Sequence, residues 1–267
     1  MRNGLTSLLV PHILWRTAAP PCAPARALRA SAGAANDPSA HVDERELDAV
    51  LRGFSAPCAA LAKRYVAALV EYNAHTNVYS QGAYGKLPFH VHDSLTLGAL
   101  IARAPGGVLD MGSGSGLPSV CVAIANPSIP VYAVESKGRK AIFLTSVARE
   151  LGLANLHVLT ENIVELSRAS AFDVAYVTAK AFKPLPHVIP LAKKAIRARA
   201  RLLVPISEAQ VVEHSAGWKR VLDPAVDLER VGPFIYFSRE IKAASVRGGS
   251  GGRSVFGAAA EGSSAAA

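Results

Sequence analysis

VLDMGSGSGLPS, residues 108–119, is the stretch whose reading decides the fold. An apolar pair leads into Asp110. Gly112, Gly114 and Gly116 follow at every second position, and Pro118 sits at the start of the apolar segment LPSVCVAIA. The pattern reads as a strand, a tight glycine turn and a helix start. Glycine lets the backbone turn sharply and a ligand approach closely, and the unpaired N–H groups of a first helical turn favour electron-rich groups. Nineteen residues after Gly116, at the end of a second apolar run, VYAV, stands Glu135. A carboxylate there can accept both hydroxyls of a ribose. Turn and acid together predict a nucleoside-type cofactor site at the mouth of a doubly wound sheet. The spacing is G-x-G-x-G opened by Asp110, not the dinucleotide G-x-G-x-x-G, and that form suits S-adenosylmethionine better than NAD.

Outward from this stretch, strand and helix patterns alternate. Strands are expected at 107–111, 130–135, 156–160, 172–178 and 200–206, and helices at 117–126, 138–152, 184–198 and 207–215. Residues 219–223 and 233–240 read as a closing antiparallel pair. Upstream, 43–54, 57–73 and 87–103 read as helices. Leu61, Tyr65, Leu69 and Tyr72 form one apolar face of the second, and Pro88 lies in the first turn of the third. Such alternation predicts an α/β fold, a mostly parallel doubly wound sheet covered on both faces, with N-terminal helices.

The chain has 267 residues, 50% hydrophobic and 18% charged, enough for one domain with a full core and two tails. The net charge of +9 is uneven: residues 1–36 hold four arginines and no acid, residues 243–267 carry +1, and +4 remains on 37–242. This mild surplus is compatible with a nucleic-acid partner. The cysteines, Cys22, Cys58 and Cys121, have no C-x-x-C spacing, so neither a zinc site nor a disulfide frame is expected. No apolar run approaches the length of a membrane span, so no membrane partner is expected. Residues 1–36 read as an organelle transit peptide, plastid or mitochondrial. Residues 37–104 read as an N-terminal helical part, 105–242 as the cofactor-binding domain, and 243–267 as a disordered Gly/Ser/Ala-rich tail.

Six motifs, in order and spacing from about residue 57 to 240, carry a resemblance to the bacterial ribosomal RNA small subunit methyltransferase G family, also called glucose-inhibited division protein B. They are EYNAHTNVYS (71–80), HVHDSL (90–95), the glycine stretch itself, VESKGRKAIFL (134–144), LGLANLHVLTENIVEL (151–166) and TAKAFKPL (178–185). The chain departs from the family pattern at Asn162 and Lys180, where arginines are usual, and at Pro205 and Ile206, where a Lys-Gly pair is usual.

The resemblance implies a Rossmann-like S-adenosylmethionine-dependent methyltransferase that forms 7-methylguanosine in small-subunit rRNA. Its partner would be the rRNA or the small-subunit particle, and the protein a monomer. The ring nitrogen at position seven needs no deprotonation, so no catalytic base is expected, and Lys180 is the one candidate for positioning. The segment VTAKAF lacks the N-P-P-Y or D-P-P-Y of amino-group methyltransferases. Asp110, Gly112, Gly114, Gly116 and Leu117 are expected around the methionine part, Glu135 at the ribose, and Ile163 and Val164 beside the adenine. Lys180 is assigned to the methionine carboxylate or an RNA phosphate. His90 and Asp93 are expected to pair and to pin the N-terminal helices over the cofactor, with no metal site, because histidines at i and i+2 (His90, His92) do not share a helix face. Lys137, Arg139 and Lys140 are candidates for rRNA phosphates. The alternative reading is a catalytically weakened or inactive relative serving ribosome assembly.

Overall fold

The computed structural model describes residues 41–102, 106–169, 171–216 and 220–244. The leader at 1–36 and the tail from 245 onward lie outside the described residues. Three helices come first: α1 (Glu44–Leu51), α2 (Ala56–Asn73) and, after a 3-10 turn at Gln81–Lys86, α3 (Leu87–Ile101). Asp43 caps α1, its carboxylate accepting from the N–H groups of Arg45 and Glu46. Pro88 lies in the first turn of α3, where its missing N–H costs no hydrogen bond.

The alternating part follows as β1 (Val108–Met111), α4 (Ser119–Ala125), β2 (Val131–Val134), α5 (Gly138–Leu151), β3 (Leu156–Leu159), α6 (Ile163–Ala169), β4 (Tyr176–Thr178), α7 (Leu185–Ala195), β5 (Arg199–Ile206), α8 (Glu208–Ser215), β6 (Leu228–Val231) and β7 (Phe234–Lys242). The sheet order is β3-β2-β1-β4-β5-β7-β6. The first five strands in that row run parallel, and β7 inserts antiparallel between β5 and β6. This is the expected Rossmann-like, doubly wound architecture with an antiparallel pair at one edge. The strand order reverses between β1 and β4, which opens a crevice at their carboxyl ends.

Each strand feeds two hydrophobic layers because successive side chains point to opposite faces. Val108 belongs to the layer that includes residues of α1 to α5, while Leu109 and Met111 belong to the layer that includes residues of α7 and Val211 of α8. Tyr176 and Val177 of β4 divide in the same way. By that alternation Asp110 and Thr178, which are register partners, share the face of Val108 and Tyr176.

Several elements differ from expectation. Residues 220–223 form no strand; the outer strand is Leu228–Val231. Asp227 decides this, because its carboxylate accepts from the Asp223 N–H at 2.8 Å, closing a turn, and pairs with Arg239 of β7. Only Tyr176–Thr178 of the expected strand 172–178 joins the ladder, Phe172 making a single bridge to Ile196. That bridge draws Ile196 into extended backbone and ends α7 at Ala195. Helix α6 was not expected. Its first turn is closed by Asn162, whose side chain accepts from the Val164 N–H at 2.9 Å.

Candidate active site

The crevice between β1 and β4 holds a cavity of about 480 Å³, within the usual range for a small-molecule site. The loops after β1, β2 and β4 supply its walls, including Gly112, Gly114, Leu117, Glu135 and Lys180. The segment after α2 (Val78, Tyr79, Ser80) and His90 of α3 complete it.

The glycine turn is a cradle that a side chain would fill. Gly112 has φ +78°, and a Cβ there would lie 2.3 Å from Phe182 Cδ2. At Gly116, φ +98°, a Cβ would lie 2.5 Å from a Val120 methyl. Both conformations belong to glycine. Tyr65 of α2 is fully buried and donates to the Ser115 carbonyl at 2.9 Å, tying the turn to the helical part. Burial raises that phenol well above its ordinary pKa.

Glu135 is 6% exposed and stands at the end of β2. Its Oε2 accepts from the Gly114 N–H (2.8 Å) and its Oε1 from the Lys137 N–H (2.7 Å). The carboxylate therefore staples the glycine turn to the start of α5. A carboxylate oxygen has two acceptor sites, so each keeps one for a ligand hydroxyl.

Asp110 lies beneath the turn without lining the cavity. Its two carboxylate oxygens, Ser119 Oγ and Thr178 Oγ1 are buried without hydrogen-bond partners. Burial pushes the Asp110 pKa up to about 6, only partly offset by the Ser113 and Ser119 groups close to it. Ile163 is packed in the core and Val164 is exposed; neither lines the cavity.

The far wall differs most from expectation. Asp93 does not pair with His90. Its Oδ2 accepts from Lys180 Nζ at 2.6 Å and its Oδ1 from the Tyr236 hydroxyl at 2.9 Å. The Lys180 and Asp93 side chains are only 13% and 7% exposed. A buried carboxylate needs an opposite charge, and the imidazole beside it cannot supply one. Burial first, and the Lys180 ammonium second, lower the His90 pKa to about 4, so His90 is neutral at neutral pH. Its Nδ1 is buried without a partner. Ala181, the residue after Lys180, has φ +50° and turns Phe182 over Gly112. A non-glycine residue in that region is uncommon and concentrates at functional sites.

The departures from the motif pattern have local structural roles. Asn162 caps α6, and Pro205 and Ile206 continue β5 against Tyr236 and Ile235 of β7. Beside the cavity, Lys137, Arg139 and Lys140 line a second cleft of about 490 Å³ with Asn77 and Tyr79. The roof segment is held by Asn73. Its amide donates to the Tyr79 carbonyl and Tyr84 hydroxyl, and its carbonyl accepts from the N–H groups of Val78 and Tyr79. The motif EYNAHTNVYS carried this signal in sequence; Tyr236 carried none. Among the described residues, no helix is long and apolar enough to cross a membrane.

Comparison with known proteins agrees with the motif reading. The family model described as rRNA small subunit methyltransferase G matches residues 59–219. The ribosomal RNA small subunit methyltransferase G of Paracoccus denitrificans is 34% identical over 131 residues, 49% of this chain and 66% of that protein. The protein of that name from Chromobacterium violaceum is 34% identical over 140 residues, 51% of this chain and 65% of that protein. The one from Solibacter usitatus is 35% identical over 158 residues, 58% of this chain and 74% of that protein. The chain thus spans just under two thirds of the length of the first two.

Proposed function

Because the chain belongs to the rRNA small subunit methyltransferase G family, we propose that it methylates a guanosine of small-subunit rRNA, giving 7-methylguanosine, with S-adenosylmethionine as cofactor. The observation that carries this reading is the glycine cradle with Glu135 stapled across it. The donor set fits the cofactor. Gly112, Gly114 and Leu117 line a space for its methionine part, Gly116 turns the backbone behind them against Val120, and Asp110 supports the turn from below. Glu135 offers two free acceptor positions to its ribose. Ile163 and Val164 stand outside the cavity walls, so contact of either with the adenine would need the loop after β3 to move inward.

The bound cofactor supplies a methyl group on a positively charged sulfur. The ring nitrogen of guanine carries an in-plane lone pair and no proton. The chain's residues therefore need not move a proton; their task is to hold the base in line and exclude water. Phe182 and the Tyr79 segment close the space from two sides. The cations Lys137, Arg139 and Lys140 stand where they can take phosphates of the strand that carries the base. RNA recognition favours shaped, unstacked bases, so the preferred substrate is the small-subunit particle.

The test is transfer of radiolabelled methyl to purified small subunits lacking the mark. Incorporation mapping to one 7-methylguanosine is expected. Absence of transfer by a chain that binds both cofactor and particle would favour the assembly-factor reading, which the changed residues Asn162, Pro205 and Ile206 support. We place the reaction in an organelle, from the acid-free, Arg-bearing composition of residues 1–36. Fused to a fluorescent reporter, those residues should direct it to plastid or mitochondrion, and a cytosolic reporter would defeat this.

A further inference from the structure

We propose that Lys180, fixed by Asp93 and Tyr236, recognises the O6 carbonyl of the acceptor guanine and makes the site select guanine over adenine. The inference rests on the methyltransferase reading above and assigns Lys180 a ligand other than a cofactor carboxylate or an RNA phosphate.

Three observations point this way. The first is charge. The Lys180 ammonium is already balanced by Asp93 at 2.6 Å in a nearly closed wall. A neutralised pair has little net attraction for a phosphate or carboxylate, but its remaining N–H donors still suit a neutral carbonyl. The second is donor capacity. An ammonium has three N–H groups. One is committed to Asp93, and the other contacts, to the His90 carbonyl at 3.4 Å and Ser94 Oγ at 3.5 Å, are long. The third is placement. Lys180 lines the cavity between neutral His90 and Phe182, the ring folded over the glycine turn by the left-handed Ala181. A planar base entering there meets an aromatic ring and a donor.

The chemistry of the base completes the argument. Guanine presents O6 and N7 as neighbouring acceptors on one edge, whereas adenine presents an amino group in place of O6. A donor that takes O6 orients the ring and leaves the N7 lone pair free. The same ammonium faces the amino hydrogens of adenine and repels them. Asp93 is thus a positioning residue, holding the lysine head at one point of the wall, and Tyr236 holds Asp93.

The test uses the full chain saturated with S-adenosylhomocysteine and fluorescein-labelled RNA undecamers, five uridines on each side of one variable purine. Anisotropy gives the affinity for guanosine, inosine, 2-aminopurine and adenosine. Inosine keeps O6 and lacks the 2-amino group; 2-aminopurine does the reverse. Guanosine and inosine should bind alike, and about 10- to 100-fold tighter than the other two. Lys180→Met should weaken only guanosine and inosine, closing the gap, with S-adenosylhomocysteine affinity unchanged. The double variant Lys180→Met/Asp93→Asn, which leaves no buried charge unpaired, should behave the same, separating lost recognition from lost folding. Lys180→Arg should retain the gap. Equal binding of all four RNAs by the wild type, a gap that persists in both Met variants, or loss of S-adenosylhomocysteine affinity in them would each overturn the proposal. Failure of the methyltransferase reading would show instead as no transfer to small subunits, whatever the purine preference.

Discussion

Asp93→Asn should destabilise this protein far more than a one-atom change suggests. The substitution preserves shape and an acceptor for Tyr236, but leaves the Lys180 ammonium without its counter-charge inside a wall where the two side chains are 13% and 7% exposed. An exposed pair would be worth well under about 1 kcal/mol. Removing one partner of a buried pair costs about 3–5 kcal/mol, because the surviving charge remains desolvated. For a body of about 200 residues, each kcal/mol moves Tm by about 2–4 °C, so Tm should fall by about 6–20 °C. Lys180→Met should fall by a similar amount, for the opposite charge. The double variant carries no unpaired charge and should melt within about 5 °C of the wild type. Scanning calorimetry of the four proteins closes the cycle. A drop of under about 2 °C for Asp93→Asn, or a double variant as unstable as the two singles combined, would refute the claim that the pair is buried and mutually dependent.

Glu135→Ala removes the acceptor for two backbone N–H groups and for a ribose; S-adenosylmethionine affinity by calorimetry should fall about 10- to 100-fold, from about 1.5–3 kcal/mol for a charge-assisted contact. Gly112→Val places side-chain atoms where a Cβ alone would lie 2.3 Å from Phe182, so cofactor binding should vanish, and heat on titration equal to the wild type would refute the cradle. Asp110 has a folded pKa of about 6, raised by burial from 3.8. Its contribution is therefore greatest when it is protonated, and is lost as pH rises through about 6, at a cost of about 3 kcal/mol once ionised. Asp110→Asn should consequently raise Tm relative to the wild type at pH 7.5, with the difference shrinking toward pH 4.5; a pH-independent difference would show that the carboxyl is not buried uncharged at low pH.

The legibility of this molecule in its sequence follows the range of the interactions. The glycine stretch and Glu135 announce themselves because backbone conformation and a β-strand end are local properties, and the parallel strands because buried strands are apolar throughout. The wall opposite does not, since Asp93 and Lys180 lie 87 residues apart and Asp93 and Tyr236 lie 143 apart. His90, three residues from Asp93, looked the natural partner, and only the packed structure shows that desolvation keeps the imidazole neutral. The outer strand is hidden from the sequence for a related reason. VLD at 221–223 is apolar enough to read as a strand, but Asp227 commits that segment to a turn and moves the pairing to Leu228–Val231.

The bond from Tyr236 to Asp93 also orders events in time. A ribosome making this chain releases α3, the glycine turn and Lys180 long before β7, so the anchor of the far wall arrives after every other part of the cavity. Until Phe234–Lys242 inserts between β5 and β6, Asp93 has one hydroxyl too few and β5 exposes an unpaired edge. The site is therefore completed only after synthesis of the sheet's last strand. A chain that ends before residue 234 lacks the hydroxyl that holds Asp93, and the edge of β5 that β7 would cover is then open to mispairing.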